Sequence, residues 1–381
     1  MIFKSKLPDT GLSIFAVMTS LANQYNALNL SQGFPNFNPT DELVELVNYY
    51  MKHGNNQYAP MPGVPSLRNE ISKKINLVYG GNYNSENEIT ITAGATQALF
   101  TAITTFINKD DEVIIFEPAY DSYIPSIKFV GGKAISVRLE EKDFSIPWNL
   151  VHEKISDKTK MIILNSPHNP TGAIIGEDDV SELIKIVKEN DILILSDEVY
   201  EHIIFDNRKH FSLTEVEALK SNSIIASSFG KTYHTTGWKV GYIASSKEIT
   251  HEFRKVHQFN VFAVNTPIQL AYAEYLSKNN DYLVLPNFYQ KKRDLFASEL
   301  EGSNFKLREC YGTYFQLLDY SNISDEKDID FTKRLITDVG IATIPLSPFY
   351  TKEINSKLIR VCFAKTDDVL IEGAKRLKSV N

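Results

Sequence analysis

Apolar residues fall into short runs along most of the chain, and these runs alternate with stretches that have helical spacing. The runs are Glu88–Thr92, Glu112–Phe116, Lys133–Leu139, Met161–Leu164, Ile192–Leu195, Ser223–Ser227 and Val240–Ala244. Most are too short for helices and too apolar for strands with one face in water. The predicted helices between them include Thr96–Phe106, Asp178–Glu189 and Thr266–Lys278. The pattern therefore predicts an α/β fold in which a mainly parallel sheet is sandwiched by helices.

The pattern changes after Pro286, and it predicts a second, smaller α+β domain. The predicted elements there are a helix at Phe288–Leu300, strands at Gly312–Asp319 and Lys357–Ala364, and helices at Asp330–Val339 and Asp367–Lys378. Near the other end, Ser13 precedes a short predicted helix, and a Gly/Pro/Asn-rich loop follows over residues 31–39. Because chain ends often lie close together, we expect residues 1–40 to join residues 286–381 in the small domain and residues 41–285 to form the large one.

Composition narrows the class of protein. The chain has 381 residues, of which 43% are hydrophobic and 23% charged, and its net charge of -7 excludes a basic nucleic-acid-binding footprint. Its two cysteines, Cys310 and Cys362, cannot build a disulfide framework, although one bond between them stays open. No apolar run approaches the ~20 residues of a membrane span, and the N-terminus lacks the apolar region of a signal peptide. These features predict a cytoplasmic protein.

Ligands of open α/β sheets bind at the carboxyl ends of the strands, so the residues after each apolar run are candidates for a site. After the first run comes Ala93-Gly-Ala-Thr-Gln97, where the free N–H groups of Ala95 and Thr96 at a helix start would bind an anion. A plain strand-to-helix turn is the alternative. After the second run, Tyr120 would stack on a flat ligand or would simply be packed, as would Tyr123.

Two further strand ends carry polar side chains. Asn169 lies between two prolines in the loop Asn165–Gly172, which would hold its amide rigidly for a ligand hydroxyl. An ordinary Asn-Pro turn is the alternative. Asp197 follows a buried strand, where an ionised carboxylate needs a cation or hydrogen-bond donors, and a protonated pyridine nitrogen is one suitable partner. The alternative is an Asp that caps the next helix. Tyr200 would reach the same ligand.

The strongest single segment is Ser227–Tyr242. It contains Lys231 after a glycine, flanked by Ser228 and Lys239, which can both bind phosphate. Gly-Lys-Thr also occurs at the end of the nucleotide-binding P-loop, but that motif requires glycine where this chain has Ile225. In a later apolar strand, Arg360 either points to water or binds an anion.

Other chemistries lack their motifs. The eight histidines show no HExxH zinc pattern, and no GxSxG elbow of a serine hydrolase is present. We therefore expect no metal at the site.

Taken together, the order and spacing of these segments resemble the class I (fold-type I) aminotransferases, which use pyridoxal phosphate (PLP). The resemblance covers nearly the whole chain and is densest at Asn55–Gly63, Asn165–Gly172, Ser196–Tyr200, Ser227–Tyr242 and Leu358–Ala364. Within the family the chain looks closest to the methionine and kynurenine aminotransferase branch, on Ser227–His234, Val256–Phe262 and Asn265–Pro267.

The resemblance implies the PLP-dependent transferase fold and a role for each candidate residue. It implies that Lys231 forms the Schiff base with PLP, that Asp197 pairs with the pyridine nitrogen, and that Tyr200 and Asn169 bind the ring hydroxyl. Tyr120 would stack on the ring. The implied phosphate-binding residues are Ala95, Thr96, Ser228 and Lys239. Arg360, helped by Asn169 and the backbone of Gly33, would bind the substrate carboxylate. Tyr58 would reach into the site of a second subunit, which implies a homodimer.

The substrate is predicted from the side-chain pocket. Phe15 stands where the kynurenine aminotransferase pattern often has tryptophan, and Ala263 where it often has histidine. Phe15, Tyr58, Tyr120 and Phe262 indicate an apolar, aromatic-walled pocket. We therefore expect an aminotransferase that moves the amino group of methionine, aromatic or other apolar L-amino acids to a 2-oxo acid.

Three alternatives remain from the sequence. The first is a PLP-dependent C–S β-lyase on the same scaffold, which the motifs barely distinguish from a transaminase. The second is a non-catalytic regulator, although such proteins usually add a DNA-binding domain to this fold. The third is a nucleotide-dependent enzyme that uses the Gly94 turn, and it lacks both GxGxxG and the P-loop.

Overall fold

The structure is a computed structural model that describes residues 4–380. The α-helices are α1 Ile14–Gln24, α2 Asp41–Lys52, α3 Pro65–Tyr79, α4 Gly94–Phe106, α5 Tyr123–Phe129, α6 Trp148–Lys154, α7 Glu177–Glu189, α8 Phe229–Thr232, α9 Lys247–Asn260, α10 Thr266–Lys278, α11 Leu285–Glu299, α12 Asp328–Arg334 and α13 Asp367–Lys378. The strands are β1 Leu28–Asn29, β2 Ile89–Thr92, β3 Glu112–Glu117, β4 Lys133–Arg138, β5 Thr159–Asn165, β6 Leu193–Asp197, β7 Ser223–Ser228, β8 Gly241–Ser245, β9 Lys306–Leu307, β10 Phe315–Asp319, β11 Ile341–Ala342, β12 Ile344–Pro345 and β13 Leu358–Cys362.

The seven apolar runs form one seven-stranded sheet in the order β2-β8-β7-β6-β5-β3-β4. Alternate residues of each strand face opposite cores: Val113 and Ile115 of β3 belong to one buried cluster, and Ile114 and Phe116 to the other. Both faces of the sheet are therefore covered at its centre, which is why the central strands β3, β5 and β6 carry apolar residues on both faces. The predicted α/β fold with a mainly parallel sheet is confirmed.

One strand departs from the parallel pattern. β8 is antiparallel to both of its neighbours, β2 and β7. The twelve-residue connection from β7 to β8 holds just the short helix α8 and one 3-10 turn, Thr236–Trp238, so the chain returns along the same edge instead of crossing over the sheet.

This topology brings several chain segments to one edge of the sheet. The carboxyl ends of β2, β3, β5, β6 and β7 meet there, and the amino end of β8 joins them because that strand runs the opposite way. The functional segments that follow these strands must therefore lie close together.

A second, antiparallel sheet has the order β12-β13-β10-β9, and β1 near the N-terminus pairs in parallel with β11 near the C-terminus. Leu28 pairs with Ile341 and Asn29 with Ala342. The helix after Ser13 is present as α1, with the Ser13 hydroxyl accepting a bond from the Ala16 N–H. The division into residues 41–285 and residues 1–40 with 286–381 stays a prediction.

A group of buried polar side chains packs between α3 and the β6–β8 strands, and we call it the closed cluster. Its members are Lys74, Tyr79, Glu201, His202, Ser227 and Tyr242. Lys74 Nζ lies 2.7 Å from Glu201, 2.8 Å from the Tyr242 hydroxyl and 3.2 Å from His202 Nε2. Its three donors thus have three partners, as a buried ammonium requires.

Across residues 4–380, no helix combines the length and the apolar character that a membrane crossing requires. Within the same range, no group of three or more His, Cys, Asp or Glu side chains could hold a metal ion.

Candidate active site

A cavity of about 320 Å³ opens at the edge of the large sheet where the strand ends meet. Twelve of the fourteen residues predicted for the site line it. They are Phe15, Gly33, Ala95, Thr96, Tyr120, Asn169, Asp197, Tyr200, Ser228, Lys231, Lys239 and Arg360. The cavity thus collects residues from the N-terminal segment, from five strand ends of the large sheet and from β13 of the second sheet.

Lys231 lies in α8, directly after β7, and its amine is buried in this cavity. The Nζ atom donates to the Gly33 carbonyl oxygen at 3.0 Å and to the Tyr314 hydroxyl at 2.9 Å. Burial is the main reason that the pKa of Lys231 falls to about 8, and the positive charges of Arg360 and Lys239 lower it further. Roughly a tenth of the amine is therefore neutral near pH 7, far more than for an ordinary lysine, as nucleophilic or proton-accepting chemistry requires.

Asp197 ends β6 with its carboxylate inside the cavity. Its Oδ2 accepts from the Tyr123 hydroxyl at 2.7 Å and its Oδ1 from the Val199 N–H at 3.4 Å, and both donors are neutral. Burial raises the pKa of Asp197 to about 6, because nothing here compensates the charge fully. A cationic group in the cavity would stabilise the ionised carboxylate.

Beside them is a cradle for an anion, formed by the start of α4. Gly94 adopts φ +74°, a conformation that suits glycine, and a Cβ there would lie 3.3 Å from Lys239 Nζ. The first N–H groups of this 13-residue helix, at Ala95 and Thr96, lack intrahelical acceptors. Together with Ser228 and Lys239 at the same cavity wall, they fit a phosphate group.

Arg360, in the middle of β13, places a fully buried guanidinium at the other side of the cavity. Its Nη1 donates to Asn169 Oδ1 at 2.7 Å and its Nη2 to the Ser31 carbonyl oxygen at 3.2 Å, while Nε has no hydrogen-bond partner within residues 4–380. The Phe315 ring lies 3.8 Å from its Cζ. None of these partners carries a negative charge, so the arginine is suited to bind a carboxylate.

The loop after β5 holds Asn169 through its neighbour Asn165. The Asn165 Oδ1 accepts from the Asn169 N–H at 2.8 Å, and its Nδ2 donates to the Asp197 carbonyl oxygen at 2.8 Å. The Asn169 side-chain oxygen accepts from Arg360, so its Nδ2 is the side-chain atom that remains for a ligand. Gly33 is similar, since its carbonyl oxygen is used by Lys231 and Tyr314 and only its N–H remains for a carboxylate.

Tyr120 and Tyr200 both lie at the cavity wall. The Tyr120 ring packs edge-to-face on Tyr123 at 5.6 Å, and the Tyr200 ring packs edge-to-face on Tyr314 at 5.2 Å. Burial raises the pKa of both phenols, which keeps them protonated as hydrogen-bond donors at neutral pH.

Two predicted residues, Tyr58 and Phe262, do not line the cavity of their own chain. They pack edge-to-face on each other at 5.3 Å on the outer surface, where 82% of Tyr58 and 50% of Phe262 is exposed. Phe262 therefore lies away from the cavity of its own subunit, and its role in the substrate pocket stays a prediction. The reason for this position is that α9 ends at Asn260 and the chain after it runs along the surface.

The sequence did not predict the contacts of four residues that shape the site. Asn165, Tyr123, Tyr314 and Phe315 contact Asn169, Asp197, Lys231 and Arg360 respectively. Asn165 and Tyr123 follow strand ends, so the strand-end rule contained a signal for both. Tyr314 and Phe315 come from the second sheet, where no sequence pattern indicated a contact with Lys231.

The residues of the cavity fit PLP in their chemistry. They supply a buried amine for the aldehyde, a buried carboxylate for the ring nitrogen, a tyrosine ring, and a cradle of backbone N–H groups with Ser228 and Lys239 for the phosphate. The buried carboxylate of Asp197 is the observation that tests this fit, because both of its hydrogen-bond donors are neutral and a protonated pyridine nitrogen would supply a cation.

Comparisons with known proteins agree with this geometry. Residues 25–377 match the family model of aminotransferases class I and II. The chain is 44% identical to a methionine aminotransferase of Escherichia coli over 100% of its own length and 99% of the relative, and 33% identical to a kynurenine–oxoglutarate transaminase of Dictyostelium discoideum over 96% and 93%.

Solved structures show the same likeness. A protein of Escherichia coli with an identified methionine aminotransferase function superposes with a TM-score of 0.97, at 44% identity and full coverage of both chains. The N-succinyldiaminopimelate aminotransferase of Mycobacterium tuberculosis superposes with a TM-score of 0.96, at 31% identity and full coverage of both. These relatives are named as aminotransferases, so the comparisons do not favour the C–S β-lyase alternative.

Proposed function

Because this chain belongs to the class I and II aminotransferases, and is therefore a PLP-dependent transaminase, we propose that its preferred amino donors are methionine and aromatic or other apolar L-amino acids. The supporting observation is the charge of the cavity. Among its lining residues in the described chain, the cations are Lys231, Lys239 and Arg360. The first two are needed for the cofactor, which leaves Arg360 for the carboxylate that every amino acid carries.

The walls support an apolar side chain. Phe15, Leu99 and Val240 line the cavity, and the Phe15 ring lies 5.1 Å from the Arg360 guanidinium. A donor held by its carboxylate at Arg360 would therefore have apolar surface close by, and a second carboxylate would be buried without a cation from this chain. The Escherichia coli relative is named for methionine, which is consistent with this preference.

We assign the cofactor contacts by the chemistry of each wall. Lys231 would form the Schiff base, Asp197 would pair with the ring nitrogen, and Tyr120 would stack on the ring. Tyr200 and Asn169 would donate to the ring hydroxyl. The phosphate would be held by Ala95, Thr96, Ser228 and Lys239. When bound, PLP supplies an electron sink for the pair released at the substrate α-carbon.

The protein's own residues then orient the donor and move one proton. Arg360, with the Gly33 N–H, holds the carboxylate so that the α-carbon faces Lys231. The neutral Lys231 amine takes the α-proton at Nζ as general base. As general acid, it would later donate this proton to the carbon of the bound cofactor. The pKa of about 8 suits both roles near neutral pH. The ionised Asp197 carboxylate keeps the ring nitrogen protonated.

A donor screen tests the substrate proposal. Methionine, phenylalanine, kynurenine and aspartate would be compared at equal concentration against several 2-oxo acids, with the new amino acid measured directly. We expect methionine and phenylalanine to give the highest kcat/KM, with aspartate lower by roughly 10²-fold or more because its second carboxylate is buried unpaired. Aspartate as the best donor contradicts the proposal.

The role of Lys231 has a separate test that needs no turnover. Borohydride reduction of the PLP-loaded protein, followed by peptide mass mapping, should place the cofactor on Lys231 alone. Lys231→Ala should take up no label there. Labelling of another lysine in the wild-type protein, or none at all, overturns the assignment.

We also propose that the working unit is a homodimer in which Tyr58 completes the site of the partner subunit. The support is the exposed aromatic pair of Tyr58 and Phe262, since adjoining exposed apolar rings often mark a protein–protein contact. Sedimentation should give a dimer. Mixing the inactive variants Lys231→Ala and Tyr58→Ala should restore about a quarter of wild-type activity through hybrid dimers with one intact site each. No recovery in mixtures that do form hybrids rules out sharing of Tyr58.

The cellular location is a final proposal. Cys310 and Cys362 are both free and buried. Unpaired thiols fit the reducing cytoplasm, where we propose that the enzyme works. Cell fractionation tests this location, and recovery of the enzyme outside the cytoplasmic fraction contradicts it.

A further inference from the structure

One buried tyrosine contacts the Lys231 amine from a part of the fold remote in sequence. Tyr314 precedes β10, and its side chain is fully buried. Its hydroxyl accepts from Lys231 Nζ at 2.9 Å and donates to the Gly33 carbonyl oxygen at 2.6 Å. Gly33 O accepts from Lys231 Nζ as well, at 3.0 Å, so the three groups form a closed triangle of hydrogen bonds.

The neighbouring Tyr289 shows that packing alone does not explain this arrangement. Its ring lies 5.6 Å from the Tyr314 ring and is equally buried, yet its hydroxyl has no hydrogen-bond partner within residues 4–380. This part of the core therefore tolerates a buried phenol without a bond. The Tyr314 hydroxyl is instead aimed at two specific groups, one of which is the reactive amine.

The triangle also links three segments of the chain. Gly33 belongs to the N-terminal segment, Lys231 to α8 and Tyr314 to the approach to β10. Phe315, the next residue, packs under Arg360 at 3.8 Å and would lie 2.9 Å from a Cβ on Gly33. Tyr314 contacts the Lys231 amine and Phe315 contacts Arg360, so these two adjacent residues fix the amine relative to the arginine.

We propose that Tyr314 is a positioning residue, whose hydroxyl holds the Lys231 amine, whenever that amine is free, at the place from which it exchanges a proton with the substrate α-carbon. The inference rests on the proposed role of Lys231. The phenol itself gains and loses no proton in this role. It accepts one N–H bond and directs the remaining lone pair or proton of Nζ.

Other charged and titratable groups face the amine and bear on any test by pH. Arg360 and Cys362 come from β13, Asp197 from β6, and Lys239 from the turn before β8. The Tyr200 ring lies 5.4 Å from Nζ. The charged groups Arg360, Asp197 and Lys239 stay in place when one oxygen is removed from Tyr314, so a difference between Tyr314→Phe and wild type reports on the hydroxyl.

The first measurement uses the full chain freed of cofactor. Acetic anhydride labels neutral amines, and the extent of labelling at Lys231 over a pH series gives a midpoint that does not depend on how accessible the amine is. In the wild type we expect a midpoint near the pKa of about 8. In Tyr314→Phe the ammonium loses one acceptor, so the midpoint should fall by about one unit.

The second measurement uses the PLP-loaded enzyme and methionine deuterated at the α-carbon. Tyr314→Phe should lower kcat by roughly 10-fold to 100-fold with KM within about twofold, because carboxylate binding is kept while the amine is less well aimed. The deuterium isotope effect on kcat should rise, since proton transfer becomes more limiting. Tyr289→Phe is the matched control, and it should leave the midpoint, kcat and isotope effect unchanged.

The outcomes separate this inference from the proposed function. Borohydride labelling of Lys231 in wild type and in both variants shows that the proposed role of Lys231 stands. With that labelling intact, an unchanged midpoint and isotope effect in Tyr314→Phe overturns the positioning role. A loss that Tyr289→Phe reproduces does the same, since it would reflect packing. Absence of the Lys231 label in wild type refutes the proposed role of Lys231 instead. Phenylalanine keeps the ring, and thermal unfolding checks that both variants fold.

Discussion

Two groups of charged side chains lie inside this protein, and they are organised in opposite ways. In the closed cluster, Lys74 and Glu201 form an ion pair at 2.7 Å, and Tyr79, Ser227 and Tyr242 also donate to the Glu201 carboxylate. In the active-site cavity, Asp197, Lys231 and Arg360 contact mainly neutral partners.

The pKa values follow this difference. Burial alone would raise the pKa of Glu201, but the charges of Lys74 and His202 overcome it and hold the pKa well below the usual range. Burial dominates for Asp197, whose pKa rises to about 6, and for Lys231, whose pKa falls to about 8. The closed cluster is therefore stable as it is, whereas the cavity gains stability when ligands supply the missing charges.

The largest expected effect is a loss of turnover when a charged residue of the active-site cavity is removed. Asp197→Ala should lower kcat by roughly 10³-fold or more, because the ring nitrogen loses the carboxylate that keeps it protonated, while thermal stability of the cofactor-free protein stays the same or rises. Single-turnover kinetics with methionine and thermal unfolding measure the two quantities. Near-normal turnover in this variant contradicts the assignment of Asp197.

In the closed cluster, we expect a substitution to lower the stability of the protein. Glu201→Ala leaves the Lys74 ammonium buried without its counter-charge, so we expect a loss of about 3–5 kcal/mol in the free energy of unfolding. Urea unfolding of the full chain measures it. The double variant Lys74→Met with Glu201→Leu removes both charges and should recover most of the loss. If the single and double variants are equally unstable, the cost lies in packing and not in the lone charge.

A third change tests the arginine. Arg360→Lys keeps the charge but loses the planar fork, so the KM for methionine should rise by roughly 10-fold to 100-fold while kcat falls less. Steady-state kinetics with a range of donors measures both constants, and the rise should be similar for all donors because each has the α-carboxylate. A KM change confined to one donor indicates that Arg360 contacts the side chain instead.

The large sheet could be predicted from the sequence because burial on both faces leaves a local signal. Each of the seven runs became a strand, with ends within two residues for runs such as Glu112–Phe116, observed as Glu112–Glu117. The antiparallel direction of β8 could not be predicted, since direction depends on the connection and not on the strand. The helix predicted at Asp330–Val339 is instead α12 followed by a π-helical turn at Leu335–Val339, a change of hydrogen-bonding pattern that side-chain spacing does not reveal.

The site was predictable to the extent that its residues follow strand ends. Asp197 and Lys231 do so, and the rule that ligands bind there places them in one cavity. Tyr314 contacts Lys231 across 83 residues of chain, and such a contact leaves no local pattern. The position of Tyr58 and Phe262 outside the cavity depends on the course of a surface loop, which is likewise invisible in the spacing.

The smallest expected effect is on the pH dependence of the free energy of unfolding, to which Asp197 and Glu201 should contribute with opposite signs. This effect compares the two groups most directly. The folded-state pKa of Asp197 is raised from 3.8 to about 6, so between these values the folded chain binds a proton that the unfolded chain has lost. Stability from this group is therefore lost as pH rises through that window, and above it the ionised carboxylate costs the cofactor-free fold up to about 3 kcal/mol. Glu201, whose pKa is lowered, contributes in the opposite sense, because its stabilisation is present above its usual pKa of 4.5 and is lost as pH falls below it.

Asp197→Asn should thus stabilise the cofactor-free protein by about 1–2 kcal/mol at about pH 7.5 and give no advantage at about pH 4, whereas Glu201→Gln should destabilise it at about pH 7.5. Urea unfolding of the two variants and the wild type over this pH series measures the signs, and Asp197→Asn that is no more stable than wild type at any pH would show that the cavity carboxylate is already satisfied without a ligand.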